Sequence, residues 1–391
     1  MLRVANLFPV RLHIGAAPRE KSTGGRRCIA ESGQTRLHGM RIVNSVLGDA
    51  SGGRWQVVCE YSRVLQRHGH QVLMLLGRRQ SDLPGVPEGV QVEVIRSHGH
   101  YDYLAAAAAT RRLRGFRTQI AIAHCSRSVA LLSRALAGAA PLVAVSHSNK
   151  VRRLLPADAY LALSGRIRDR LAGASGTQPA KPCFVVPNMI AFDAGMPLPV
   201  RARGDPPRIA ALGRFDTVKG LDVFIRALAQ LQQQGCEFRA TLGGTGVEER
   251  RLRQLLTQLD LCPRVSMPGW VEDVESFLSG ADLLCVPARS DAFGLTPLQG
   301  AIAGVPLVLS RATGHLEMFA PEREALFCDI DDPDSTARQM LRILDDSTLA
   351  ERLRSAAFER VSASYSVPAV TAQILHALEI IHEKWHEDRR L

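Results

Sequence analysis

Between Ala281 and Gly304 the chain reads ADLLCVPARSDAFGLTPLQGAIAG, and three kinds of local structure follow from it in order. Residues 282–287 are an apolar run of strand length, 288–293 a polar loop carrying Asp291, and 295–303 a helix stopped by Gly304. In an open α/β sheet such a strand-loop-helix unit points its loop to the carboxyl ends of the strands, where ligands bind. The spacing of Leu295, Leu298 and Ile302 predicts one buried helix face and leaves Gln299 near that crevice. Without context, the same letters describe a buried strand and an ordinary amphipathic helix.

Strand and helix patterns alternate on both sides of this stretch. Upstream, residues 208–213 read as a strand, followed by Arg214-Phe-Asp-Thr-Val-Lys219, two cations five apart around a strand-to-helix turn. Cations so placed can clamp a pyrophosphate and stabilise charge on a departing diphosphate. Residues 238–246 form a strand and glycine turn that imitate a dinucleotide fingerprint, but Glu249 stands at the third glycine position and argues against NAD. Downstream come a strand at 305–310, the turn Gly314-His-Leu-Glu317, and helices at 334–345, 349–362 and 367–386.

The amino-terminal half repeats the alternation: a strand at 41–46, a glycine turn at 48–53, a helix at 54–68, and a strand ending at Leu76. Gly52 and Gly53 before a helix amino terminus would let a phosphate approach backbone N–H groups. The Ala-rich helix 104–116 ends in Arg111, Arg112, Arg114 and Arg117, which either complement the helix dipole or form a surface for an anionic partner. The run 120–123 is a buried strand delivering His124, a residue type more often structural than functional when alone. Strands at 141–146, before His147, and at 160–164 precede Phe184-Val-Val-Pro-Asn188.

The 391 residues suffice for two domains. Residues 40–196 are expected to form the first and 208–366 the second, with the proline-rich stretch 197–207 as linker and 367–391 as a terminal helix and tail. Residues 1–39 lack sustained periodicity and are Arg-rich and acid-poor. They read as a leader, either of transit-peptide type or arising from a start assigned upstream of Met40. They hold seven basic and two acidic groups, so +5 of the +11 net charge, and the body carries +6. Such a balance suits nucleic acid, an anionic membrane or a phosphorylated substrate. No apolar run approaches the roughly 20 residues that span a bilayer. Eight cysteines without a C-x-x-C pair suggest reduced thiols of the cytosol, with Cys59, Cys183, Cys285 and Cys328 as small core residues.

The ordered set Gly52-Gly53, His124, Pro187-Asn188, Arg214, Lys219 and the Asp291/Gln299 pair resembles the retaining glycosyltransferases of family 4, over residues 40–386. The resemblance implies a GT-B fold: α/β, two Rossmann-like domains facing across a cleft, with the carboxyl-terminal helix crossing back to the first domain. It gives Arg214 and Lys219 the diphosphate and His124 a place beside the scissile bond. Asp291 would contact the transferred sugar and Gln299 the ribose, with Phe293 and Gly294 in the same loop. Trp270 would either pack against the base or be a core tryptophan. Two positions depart from the family: Asp291 replaces the usual Glu, and Gln299 replaces an acid. A third departure is Ile122, where the usual partner of the histidine is absent.

The function so implied is a hexosyltransferase-type transfer from a nucleotide-sugar donor to a glycan or lipid-linked acceptor, in lipopolysaccharide or other cell-envelope glycan synthesis. No metal or other cofactor and no nucleic-acid partner are expected. The location implied is cytoplasmic, with peripheral contact on an anionic membrane. A non-catalytic binding protein of the same fold is the alternative that Gln299 favours, and a nucleotide-sugar epimerase the third.

Overall fold

The structure is a computed structural model that describes residues 39–48, 52–77, 85–176, 180–193 and 195–390; the leader reading of 1–39 falls almost wholly outside them. Among these residues, two wholly parallel sheets are flanked by helices. The first has the order β3-β2-β1-β4-β5-β6-β7, from β1 (Arg41–Val46), β2 (Gln71–Leu76), β3 (Gln91–Val94), β4 (Ile120–Ala123), β5 (Leu142–Ser146), β6 (Ala159–Ala162) and β7 (Cys183–Val185). The second is ordered β10-β9-β8-β11-β12-β13, from β8 (Arg208–Leu212), β9 (Arg239–Gly243), β10 (Val265–Gly269), β11 (Leu283–Val286), β12 (Leu307–Ser310) and β13 (Leu326–Cys328).

Strands covered on both faces need apolar residues at successive positions rather than alternating ones. Accordingly β4, β5 and β11 are buried along their whole length. In each sheet the strand order reverses beside its first strand: β1 pairs with both β2 and β4, and β8 with both β9 and β11. A crevice opens at such a reversal, because the loops on its two sides leave in opposite directions.

The helix α1 (Gly52–Arg67) begins two residues before the expected start, so Gly52 and Gly53 belong to its first turn rather than to a loop. The other helices of the first half are α2 (Tyr103–Phe116), α3 (Ser126–Leu136) and α4 (Gly165–Ser175). Asp102 caps α2 through Ala105 N at 2.9 Å, and Arg117 closes it in the left-handed conformation. The second half contains α5 (Leu221–Gln233), α6 (Glu249–Gln258), α7 (Val274–Ser279), α8 (Leu295–Ile302), α9 (Thr313–Met318), α10 (Pro333–Asp345) and α11 (Ser347–Tyr365). The last helix, α12 (Val367–Glu387), packs on both α11 and α1, which returns the chain to the first sheet.

On α8 the structure corrects the expected helix face. Leu298 is buried with Pro297, Gly300 and Ala301, whereas Leu295 and Ile302 are half-buried and share the Gln299 side. Close packing selects this face: a Cβ on Gly300 would lie 2.4 Å from Leu284 Cδ2, so α8 presses its smallest residues onto β11. Cys59, Cys285 and Cys328 are buried, and Cys183 is half-buried.

Candidate active site

The loops after β8 and β11 converge at the reversal point of the second sheet. Asp216 accepts from Lys219 N and so caps the short 3-10 turn Thr217–Lys219, while its Oδ2 takes Arg214 Nε at 2.6 Å. Lys219 is thereby aimed across the crevice, where its Nζ lies 2.8 Å from Asp291 Oδ2. Gly220, at φ +64°, permits this approach: a Cβ there would sit 2.2 Å from the Pro287 carbonyl oxygen.

Asp291 is nearly buried, and its loop holds it on several sides. Phe293 N donates to Oδ1 at 3.2 Å, Gly314 N donates to its backbone oxygen at 3.1 Å, and a Cβ on Gly294 would come within 2.6 Å of Oδ2. Burial works against its charge, but Lys219 and His315 beside it hold the carboxyl below its ordinary range. His315 Nε2 is 3.9 Å from the same Oδ2. The two loops are also tied from behind by Arg289. Its guanidinium forms two 2.9 Å bonds to Asp222 of α5, and its backbone N donates to Val218 O at 2.8 Å.

A glycine turn closes the flank of this crevice. Phe215 N donates to Thr245 O at 2.8 Å and Glu248 N to Phe215 O at 3.0 Å. Cβ atoms on Gly244 and Gly246 would lie 1.9 Å and 2.3 Å from the carbonyl oxygens of Gly213 and Phe215. The glycines that imitate a dinucleotide fingerprint are therefore required by chain-on-chain packing.

Gln299 faces a cavity of about 560 Å³ that it lines together with Gln56, Glu60, Val274, Leu278 and Leu295. Trp270 is 59% exposed directly after β10, so the core reading of this tryptophan is excluded, and it is not among the cavity's lining residues.

At the reversal point of the first sheet the chemistry differs. His124 N donates to Ser45 O at 2.9 Å, which seats the residue at the carboxyl end of β4. Its ring lies edge-on to Tyr61 at 5.0 Å and stacks with His147 at 5.1 Å, Nδ1 lying 2.8 Å from His147 Nε2. Burial first, then His147 and Arg54, push His124 well below the ordinary imidazole range, and burial with Arg54 takes His147 to about 3. Both rings are therefore neutral, and one donates to the other. His124 is 1% exposed, so it meets the crevice as a buried group.

Across the cleft, a Cβ on Gly53 would lie 3.1 Å from Leu295 Cδ1, whereas one on Gly52 would meet nothing within 4 Å among the described residues. Asn188 Nδ2 donates to Phe293 O at 2.9 Å, Asn149 Nδ2 to Ser290 Oγ at 3.3 Å, and Arg166 N to Glu317 Oε1 at 3.4 Å. The structure thus joins Lys219 to Asp291 directly and Arg214 to them through Asp216. Phe293 and Gly294 share the same loop, while Gln299 stands on the helix that follows. His124 meets His147, Tyr61 and Ser45, all within the first domain. Sequence reasoning missed Arg289, His147 and the buried role of His315; a lone basic residue in a loop or turn carries no periodic signal.

Residues 199–360 match the family model described as glycosyl transferases group 1, and residues 51–193 match that of glycosyltransferase family 4. Together with the two-sheet fold, this places the chain in the GT-B glycosyltransferases of family 4. The lipopolysaccharide core biosynthesis glycosyltransferase LpsD of Rhizobium meliloti is 31% identical over 186 residues, 46% of this chain and 53% of that protein. The chain thus spans about half the length of that relative. The D-inositol 3-phosphate glycosyltransferase of a Nocardioides species is 26% identical over 77% of this chain and 73% of its own length. Among solved structures, Anabaena HepE in complex with UDP-glucose superposes with a TM-score of 0.73 at 17% identity, covering 87% of this chain and 99% of that one. Sucrose-phosphate synthase of Thermosynechococcus elongatus gives 0.75 at 18% identity, covering 89% and 100%.

Proposed function

We propose that the protein is a retaining hexosyltransferase that moves a sugar from a nucleotide-diphosphate donor to a glycan or lipid-linked acceptor in cell-envelope glycan synthesis. The observation that carries the reading is the Lys219–Asp291 pair, with Arg214 beside it, at the reversal point of the second sheet. In the reaction the bond between the sugar's anomeric carbon and the diphosphate oxygen breaks. The acceptor oxygen bonds to that carbon on the face the diphosphate leaves, and the acceptor's proton passes to the departing diphosphate. Charge grows on the leaving group as the bond breaks, so cations fixed beside it lower the barrier. Arg214 and Lys219 supply that charge, and Asp291 contacts the transferred sugar. The diphosphate sugar of HepE's complex and the lipopolysaccharide role in the name of LpsD support the donor and acceptor classes.

The same reading places the protein in the cytoplasm and against an anionic membrane surface. No helix among the described residues is long and apolar enough to cross a membrane. Tyr101, Tyr103 and Leu104 are 77%, 68% and 86% exposed at the start of α2. The Arg134 guanidinium lies 5.5 Å and 5.2 Å from the two tyrosine rings, and His100 Nε2 is 3.0 Å from Ser126 Oγ, two residues beyond His124. Exposed aromatics among arginines suit an anionic headgroup layer. Co-sedimentation with vesicles containing phosphatidylglycerol should weaken in a Tyr103→Ser/Leu104→Ser variant, and equal binding by both proteins would remove this surface.

The test of the activity is hydrolysis or transfer of UDP-glucose, GDP-mannose or ADP-glucose by the purified protein, followed as release of nucleotide. Stabilisation by the nucleotides without any turnover would favour the second reading, a binding protein of the same fold, which Gln299 supports.

A further inference from the structure

The proposed chemistry leaves His315 without a task, although it stands against the central acid. The residue lies in α9 and is fully buried. Its Nδ1 is 3.0 Å from the Ser310 carbonyl oxygen, which only accepts, so Nδ1 carries a hydrogen. The Ser310 hydroxyl, 3.3 Å from the same nitrogen, donates its own hydrogen to Ala288 O at 2.6 Å and also faces Nδ1 as an acceptor. This arrangement fixes the tautomer. Nε2 is buried, makes no hydrogen bond among the described residues, and faces Asp291 Oδ2 at 3.9 Å. In the neutral ring a lone pair faces a carboxylate; in the protonated ring an N–H does.

We propose that His315 is a positioning residue for Asp291: when a donor diphosphate draws the Lys219 ammonium away, His315 takes a proton from solvent and becomes the counter-charge of Asp291. The inference rests on the reading that this crevice takes a diphosphate. Without ligand, burial keeps His315 below the ordinary imidazole range, while Asp291 and the Ser310 carbonyl pull it up and Lys219 pushes it down. Transfer of Lys219 to a diphosphate removes the downward push, and the diphosphate adds negative charge nearby. Both changes favour the imidazolium.

Among the described residues, the charged groups around the ring come from several elements. Asp291 comes from the loop after β11 and Lys219 from the loop after β8. On α9 itself Glu317 turns to Arg166 N of α4 at 3.4 Å. Arg166 reaches Thr313 Oγ1 at 3.4 Å, and Arg360 Nε reaches Met318 O at 3.3 Å, at the two ends of the helix. Asp291 would otherwise stand buried without a cation at the moment it must contact the sugar, and such a charge is costly enough to take up a proton or turn away.

The test is calorimetric titration of the full chain at pH 7.5 with the first of UDP-glucose, GDP-mannose or ADP-glucose that binds, in buffers of different protonation enthalpy. The diphosphate of these diesters has no ionisation near that pH, so protons taken up belong to the protein. Wild type should take up as much as one proton per donor and bind more tightly as the pH is lowered. His315→Asn, whose amide can still donate to Ser310, should bind without uptake. Binding by wild type with no proton uptake would overturn the proposal and leave the donor site standing, as would unchanged uptake in the variant. Failure of all three donors to bind would overturn the donor site itself, and the inference with it. Should the variant not fold, nitrogen-15 spectra of the wild-type imidazole decide the matter: Nε2 must pass from lone-pair to protonated character on donor addition, and an unchanged neutral ring refutes the idea.

Discussion

At the carboxyl ends of β4 and β5 two neutral imidazoles stack, one of them edge-on to a tyrosine; at the carboxyl ends of β8 and β11 a lysine and an arginine meet two carboxylates. The strand order around the two places is the same, each being the reversal point of a parallel sheet. The backbone topology therefore decides where loops converge, and the loop residues decide what the crevice can hold. Burial keeps His124 and His147 uncharged, whereas in the second crevice each charge is kept by a partner within hydrogen-bond reach.

The largest expected effect separates the glycines of the two halves. Gly244 stands at φ +133° with its would-be Cβ 1.9 Å from Gly213 O, so Gly244→Ala should cost about 3 kcal/mol or more in urea unfolding. Gly52, at φ +56° with no described residue within 4 Å of its would-be Cβ, should cost only about 1 kcal/mol as Ala. Equal costs would mean that the two glycine turns serve the same purpose.

Next comes Lys219→Ala, which removes one of the two cations of the second crevice. Turnover should fall roughly 100-fold or more if the cation acts mainly in the transition state. His124→Gln, which keeps a donor and loses the ring contacts to Tyr61 and His147, should cost less. The reverse order in a donor-hydrolysis assay would move the chemistry to the first crevice.

The contrast between the crevices was only partly legible in the sequence. Apolar runs such as Ile120–Ala123 announced the buried strands, because a parallel sheet needs no alternation. Lys219 is legible from its place in a strand-to-helix turn and Asp291 from the family resemblance, and they meet at 2.8 Å. The buried face of α8 was misread because periodicity ranks residues by apolarity, while contact with β11 selected the small ones, Gly300 and Ala301. Trp270 could not be settled from its letter, since a tryptophan is apolar enough for a core and flat enough for an exposed loop. His147 and His315 gained their meaning only from neighbours 23 and 24 residues away, His124 and Asp291.

A smaller effect follows from the His124–His147 pair. Their folded values lie below 6.5, His147 at about 3, so the unfolded chain binds more protons as the pH falls through the ordinary imidazole range. Their contribution is fully present above that range and is lost as the pH drops. Between about pH 6.5 and pH 5.5 two such groups remove about 2 kcal/mol of stability. Urea unfolding at both values should show a correspondingly smaller change in a His124→Gln/His147→Gln protein. An identical change would mean that the rings take up protons as readily in the folded protein as in the unfolded chain, and the contrast between the crevices would fail.

The smallest effect concerns Gln299, where the family pattern has an acid and this chain an amide. Glutamine offers a ribose hydroxyl one acceptor oxygen and also a donor, whereas a carboxylate accepts through two oxygens and forms bonds about twice as strong. The cavity that Gln299 faces already contains Glu60 and Glu275. Glu60, however, is paired with Arg63, so part of that negative charge is already answered. The two hydroxyls of a ribose are both donors in search of acceptors, and they favour the carboxylate. Gln299→Glu should therefore tighten binding of a nucleotide-sugar donor by about 1 kcal/mol, the scale of one such bond. Calorimetric titration of both proteins with UDP-glucose or GDP-mannose gives the sign directly. Weaker binding by the glutamate protein would mean that the cavity is shaped around the amide and rejects a further charge beside the diphosphate. The cavity beside Gln299, which none of Arg214, Lys219 and Asp291 lines, would then select its ligand through a neutral group.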